Sequence, residues 1–441
     1  MNSKPAPKLE PEETLQDKAH RLIPGGCHTY AKGDDQYPAD APDFIVRGKG
    51  CHVWDTQNRE YIEYGMGLRA VTLGHAFDPV NAAVTEQLKH GLNFNRPAVL
   101  EVQAAEEFLA LHPRADMVKF AKDGSTVLTA AIKLARAHTG RVKIAICADH
   151  PFFSYNDWFM VSTGIPGGIP ESRKSETLTF RYNDIASVEK LFAENPNEIC
   201  AVLLEAERTA PPKDGFLHKL RDVAHKNGAL FIVDEMVTGL RWDKGGAQAV
   251  YDVEPDLSTF GKALGNGMPI SALAGKREIM ELGGLRTERE RVFLLSTTHG
   301  AESASLAAAR RIIQFYNEND VTGALHRQGK RLREGVLSRV ADLGLQDYFT
   351  IDGRDCSLLY GTRGPDKKPS QPFRTLFLQQ SLRNGLLAPN FIISYSHGDA
   401  DVDATIAAVA KSLVVYKKAL EEGVEKYLTG RSIKPVYRRF N

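Results

Sequence analysis

Between Met117 and Ala274 short apolar runs alternate with stretches of helical spacing. The runs are Met117–Ala121, Val142–Cys147, Ala201–Leu204, Ala229–Val233, Leu257–Phe260 and Ser271–Ala274. Each has strand length, and Ala229–Val233 is apolar at consecutive positions, as a strand covered on both faces should be. Strands separated by helices predict an α/β architecture around a largely parallel sheet. One connecting helix is legible in detail: Leu217, Leu220, Val223 and Ala224 share a face, and Asn227-Gly228 supply a stop before the next strand.

The flanks have a different texture. From about residue 14 to 75, the turn signals Pro24-Gly25-Gly26 and Gly48-Lys49-Gly50, then Val53-Trp54-Asp55 and Tyr61-Ile62, predict a helix and a small antiparallel sheet. After about Gln314 the pattern turns helical, then strand-like around Leu358-Leu359-Tyr360, and closes on a helix from Val402 to about Leu420. The expected division is an N-terminal segment, 1–75, contributing to a small domain, a large domain, 76–315, and a C-terminal small α/β domain, 316–441.

Composition narrows the class. The 441 residues are 42% hydrophobic and 25% charged, ordinary for a soluble globular chain, and a formal charge of +1 gives no reason to expect nucleic acid or an anionic membrane as partner. Met1 to Glu13 lack the apolar core of a signal peptide and no later run reaches about 18 apolar residues, so a cytoplasmic location is expected. The five scattered cysteines form no metal-ligand spacing and read as free thiols.

Three places carry candidate chemistry. Val233-Asp234-Glu235 ends a buried strand, where open α/β sheets bind ligands. An acid there could hold a pyridine nitrogen protonated, or simply cap the next helix. Ser258-Thr259-Phe260-Gly261-Lys262-Ala263 carries a lysine at another strand end, followed by the tight-loop sequence Gly265-Asn266-Gly267. A partly desolvated amine there could form a Schiff base, although most lysines are solvated surface residues. Ala263 stands where a nucleotide-binding loop would need Ser or Thr. Finally, Phe120-Ala121-Lys122-Asp123-Gly124-Ser125-Thr126 leads into a helix expected from about Thr126 to His138. Its N-terminus offers a phosphate seat, or Ser125 or Thr126 merely caps it. Anion seat, acid and lysine, in that order at strand ends of one sheet, are what a phosphate-bearing aldehyde cofactor requires.

Two segments, Asp234-Glu235-Met236-Val237-Thr238-Gly239-Leu240-Arg241 and Phe260-Gly261-Lys262-Ala263-Leu264-Gly265-Asn266-Gly267-Met268-Pro269, also resemble a known family. With Pro24-Gly25-Gly26 and Leu73-Gly74-His75, they make the chain similar over nearly its whole length to the class III aminotransferases, in the branch containing glutamate-1-semialdehyde 2,1-aminomutase. The resemblance implies the fold type I of pyridoxal 5′-phosphate (PLP) enzymes, with a mainly parallel seven-stranded sheet sandwiched by helices and a smaller α/β domain. It further implies that Lys262 carries PLP as a Schiff base and shuttles a proton, that Asp234 faces the pyridine nitrogen, and that Val237 presses on one ring face. Gly124 and Ser125 take the phosphate-loop positions, although Asp123 stands where the family usually has Ser. Phe152 is assigned to the opposite ring face, an aromatic surface being what that role requires. Thr297 and Thr298 fall where a family member lends a phosphate-binding Thr to its neighbour, which implies a homodimer with shared sites.

The resemblance also has departures. Lys32 stands about where the aminomutase has a substrate arginine, and lysine substitutes poorly for a bidentate carboxylate clamp. Pro389 to His397 hold no acid where the aminomutase carries a glutamate. These features favour an intermolecular aminotransferase, taking nitrogen from an amine or amino-acid donor to a carbonyl acceptor, with an intramolecular aminomutase as the alternative. The ending Lys434 to Asn441 is similar to a sub-branch that suggests a sugar-like or hydroxylated acceptor. Arg241, Arg69, Tyr30 and His28 are candidate substrate-side groups, with a purely structural role the favoured alternative for each. The intact Asp234 and Lys262 argue against a catalytically silent relative, and the lack of a G-x-G-x-x-G turn argues against a nicotinamide oxidoreductase.

Overall fold

A computed structural model describes residues 13–150 and 152–440, so most of the charged N-terminal stretch, with Pro151 and Asn441, lies outside the described residues. The chain first builds a small antiparallel ribbon of β1 (Ile45–Lys49), β2 (His52–Asp55) and β3 (Glu60–Glu63), as the paired turn signals predict. A helix, Leu15–Leu22, precedes it, with Thr14 closing a capping box on Asp17.

The central sheet has seven strands: β4 (Met117–Ala121), β5 (Lys143–Cys147), β6 (Thr177–Phe180), β7 (Ile199–Glu205), β8 (Leu230–Asp234), β9 (Leu257–Phe260) and β10 (Ser271–Gly275). Their order across the sheet is β4-β10-β9-β8-β7-β5-β6, and β10 alone runs antiparallel to its neighbours. Every residue of β7, β8, β9 and β10 is buried, which explains why these strands read as unbroken apolar runs. β6 was not foreseen from the sequence. It lies at the edge, and its Thr-Leu-Thr-Phe is half covered, so it offers neither a long apolar run nor clean alternation.

The helix Phe216–Lys226 buries Leu217, Leu220 and Ala224 and stops at Asn227, with Gly228 at φ 67° reversing the chain into β8. Beyond the sheet, the helices Ser303–Glu318 and Val321–Asp342 lead to β11 (Phe349–Asp352), β12 (Ser357–Thr362), β13 (Leu386–Leu387) and β14 (Phe391–Ile392), then to the helix Asp399–Glu422. β11, β12 and β14 form a third sheet. β13 instead joins β3 in parallel, so the two ends of the chain share one sheet. Tyr64, just after β3, reinforces the junction through a hydroxyl contact of 2.8 Å with Thr405. The cysteines are unbridged, all but Cys27 buried, and among the described residues no helix is long and apolar enough to cross a membrane.

Candidate active site

The parallel strands β7, β8 and β9 end level with one another, because Glu205 pairs in register with Asp234, and Asp234 with Thr259. Two carboxylates therefore stand side by side at the carboxyl edge of the sheet. Asp234 is 2% exposed, and its Oδ1 accepts hydrogen bonds from Met236 N (2.9 Å) and Thr259 Oγ1 (3.0 Å). Burial, then the adjacent Glu205 charge, raises its carboxyl above the usual carboxylate range, while Lys262 opposes the shift. Burial acts on Glu205 in the same sense, but Arg208, His150 and Lys262 together hold it below its ordinary value. Arg208 Nη1 sits 2.8 Å from Glu205 Oε1, whereas the buried Oε2 has no hydrogen-bond partner among the described residues.

The Asp-Glu pair divides the two roles considered for it. Glu235 does the capping: its carboxylate accepts from Ala247 N (2.9 Å), Gln248 N (2.7 Å) and the Thr238 hydroxyl. Asp234 takes no part in that cap, and among the described residues its carboxylate's hydrogen bonds are confined to Oδ1. Lys262 begins a single turn, Lys262–Leu264, and adopts φ 45°, a left-handed conformation that costs a non-glycine residue roughly 1–3 kcal/mol. Burial lowers its ammonium pKa, against the pull of Asp234 and Glu205, so the neutral amine is more accessible than on a solvated lysine.

Met236 draws the three sequence-predicted places together. A Cβ added at Gly124 would lie 3.0 Å from its sulfur, and one at Gly261 would lie 2.6 Å from it. Glycine at both positions lets the anion seat and the lysine turn close on the loop after Asp234. The helix of the seat starts at Gly124 rather than near Thr126, and it ends at Thr139. Asp123, not Ser125 or Thr126, is its N-cap, accepting from Thr126 N (2.9 Å) and Thr126 Oγ1 (2.8 Å). The acid thus folds back onto Thr126, which leaves the N–H groups of Gly124 and Ser125, without partners inside the helix, for an anion.

Ser125 is buried, and its hydroxyl accepts from Tyr155 N at 3.2 Å, fastening the 152–156 loop over the seat. In that loop Phe153 is a core residue, 1% exposed, while the Phe152 ring is 46% exposed and touches Phe159 only by its edge. Val237, 8% exposed, lies one residue beyond Met236. Thr297 and Thr298 are exposed on a loop fixed to the 92–93 turn by Asn93 Nδ2 to Thr298 O (3.0 Å). Among the described residues neither threonine hydroxyl has a hydrogen-bond partner within the chain. These elements suit PLP: donors for a phosphate, an aromatic face, a carboxylate for a ring nitrogen and an amine for an aldehyde.

Arg241 takes the structural one of its two readings. Read as a candidate substrate-side group, it is fully buried and spends its donors on Ile393 O (2.7 Å), Thr72 Oγ1 (2.9 Å), Arg69 O (3.1 Å) and Cys356 O (3.2 Å). It pins the N-terminal and C-terminal parts to the central loop. Arg241→Ala strands these acceptors and leaves a cavity, and is expected to cost about 3 kcal/mol, measured as a lower urea midpoint. Tyr30, His28 and Lys32 are exposed. Glu205 and Arg208 were not anticipated, although Glu205 ends an apolar run just as Asp234 does.

Comparison with known proteins shows the family. Residues 34–347 match the family described as aminotransferase class-III. The glutamate-1-semialdehyde 2,1-aminomutase of Ruminiclostridium cellulolyticum is 33% identical, covering 92% of this chain and 98% of its own. That of Methanosphaera stadtmanae is also 33% identical, over 93% and 100%. Among solved structures, the PLP internal aldimine form of the Sphingopyxis sp. FumI protein superposes with a TM-score of 0.84 at 26% identity, covering 92% and 97% of the two chains. An omega-transaminase from Sphaerobacter thermophilus gives 0.82 at 26%, covering 91% and 97%. The chain belongs to the class III aminotransferases and is a PLP-dependent enzyme of fold type I.

Proposed function

We propose that this enzyme moves an amino group between two small molecules, from an amine or amino-acid donor to a carbonyl acceptor, with Lys262 and Asp234 as its catalytic groups. The observation that carries the reading is the convergence on Met236 of the Gly124 seat and the Lys262 turn, beside a buried Asp234. When bound, PLP supplies a conjugated ring that withdraws electrons from the substrate carbon. Asp234 would keep a proton at the ring nitrogen, and Lys262 Nζ would hold the cofactor and move a proton to and from the substrate carbon. Gly124 and Ser125 would anchor the phosphate, Val237 and Phe152 would flank the ring, and residues 76–315 would form the unit that carries it. Thr297 or Thr298 completes the site of a second subunit in a homodimer, which agrees with their unused hydroxyls.

Phe152 and Phe153 separate a binding role from a packing one. Phe152→Ala is expected to raise the PLP dissociation constant by up to roughly tenfold with little change in the melting of the cofactor-free protein. Phe153→Ala should instead cost about 3–5 kcal/mol of stability.

A second reading, an intramolecular aminomutase, has the 33%-identical relatives of that name in its favour. Donor dependence decides between the two. Enzyme in its amine form, given a single amino-aldehyde substrate and no separate donor, should stop after one turnover if nitrogen passes between molecules. Sustained turnover under those conditions would establish the aminomutase.

A further inference from the structure

The crevice holds more positive charge than its own residues neutralise. Lys262, Arg208 and Arg69 lie within electrostatic reach of one another, and two carboxylates, Asp234 and Glu205, face them. Glu205 is already paired with Arg208. Asp234 is committed to the ring nitrogen on the reading above, on which this inference rests. Arg69 is left over: it is half-buried, and among the described residues its guanidinium has no hydrogen-bond or ion-pair partner. A desolvated guanidinium with no hydrogen-bonded counter-ion is costly, and burial, then the Arg208 charge, hold its pKa down to about 10 although Glu205 pulls the other way.

The backbone around Arg69 is strained, with Met66 and Val71 on either side of it buried. Met66, Gly67, Leu68 and Arg69 have φ of 43°, 56°, 58° and 74°, a run of left-handed residues that only strong external restraint sustains. The restraints are visible on both sides. Arg241 Nη2 donates to Arg69 O at 3.1 Å. Asn266, four residues past Lys262, accepts from Leu73 N (2.8 Å) and donates to Gly74 O (3.0 Å). The segment that follows Arg69 is therefore tied to the loop that follows Lys262, which holds the two stretches of backbone in a set relation.

We infer that Arg69 binds a carboxylate of the substrate, close to the carbon whose nitrogen is exchanged. The planar guanidinium matches a carboxylate in a two-pronged contact, and the shared anchoring puts that contact beside the reacting carbon. Arg69 thereby takes over the part that Lys32, exposed and poorly shaped for it, does not play. Arg208, tied to Glu205, lends charge without being the primary contact. The enzyme then prefers amino acids or keto acids to simple amines and aldehydes.

The test uses the full-length, PLP-loaded enzyme as wild type, Arg69→Gln and Arg69→Lys. L-Alanine and β-alanine are compared with propylamine and isopropylamine through the bleaching of visible absorption. Succinate, which has no amino group to exchange, is scored separately by the melting temperature. Arg69→Gln should raise the concentration of either alanine needed for half-bleaching by about 100-fold and leave the two amines within about threefold, with Arg69→Lys between. Succinate should stabilise wild type and not Arg69→Gln. Equal losses for amino acids and amines would overturn the carboxylate contact, as would a succinate shift common to all three proteins or absent from wild type. Arg69→Lys keeps the charge and guards against a failure of Arg69→Gln to fold. A wild type that never develops visible absorption with PLP would sink the proposed function itself, and this inference with it.

Discussion

Replacing Lys262 by alanine is expected to abolish both turnover and the visible absorption that PLP gives the wild-type chain. The loss should be on the order of 10⁴-fold, because on the proposed reading one nitrogen serves as covalent anchor and as proton carrier, and Lys122, the amine that follows β4, is engaged by Glu302. Full turnover in that variant would dismiss the mechanism. The same residue makes a pH prediction. Burial favours its neutral form, so in the wild-type apoprotein the rate of PLP capture should rise with pH and level off below about 10.4, the value of a free lysine. A rate still climbing past that value would mean that the amine behaves as a solvated one.

Asp234→Asn is the second large effect. The replacement keeps an Oδ1 for Met236 N and Thr259 Oγ1, so folding is preserved, and it removes one of two crowded carboxylates. Without PLP, the variant should melt no lower than wild type. With PLP, the negative charge that holds a proton at the ring nitrogen is gone, and turnover should fall by about 10²–10³-fold while the visible band persists. Single-turnover bleaching with a good donor would measure this directly. An Asn variant with undiminished rate would show that Asp234 is only a structural acid.

Much of this site was legible in the sequence because its parts are local. A buried parallel strand writes itself as an apolar run, and the residue that ends it, Asp234 or the lysine just past Phe260, is found by counting along the chain. The convergence of Gly124 and Gly261 on Met236 was not legible, since it depends on how the ends of three strands are brought to one loop. Arg241 shows a role whose partners the sequence does not reveal. A basic residue beside a catalytic loop resembles a ligand contact, but its partners are backbone carbonyls of Ile393 and Cys356, which carry no side-chain signature. The N-cap is Asp123, not Ser125 or Thr126; an acid so close to an anion seat repels the anion unless it turns away, and its turn back onto Thr126 is visible only in the folded chain. Arg69 attracted attention as a bare arginine, but its lack of an acceptor and the left-handed turn beneath it are properties of the folded chain alone.

The parallel pairing of β13 with β3 has a consequence for biosynthesis. A ribosome releases β3 early and its neighbour only after most of the chain has been translated, so one strand edge waits uncovered through nearly the whole of elongation. The wall of the crevice waits with it, because the Arg241 anchor needs Ile393 before it can hold the Arg69 turn. Nascent chains stalled before Leu386 should therefore be sticky and indifferent to the vitamin, and loading becomes an event of the finished polypeptide.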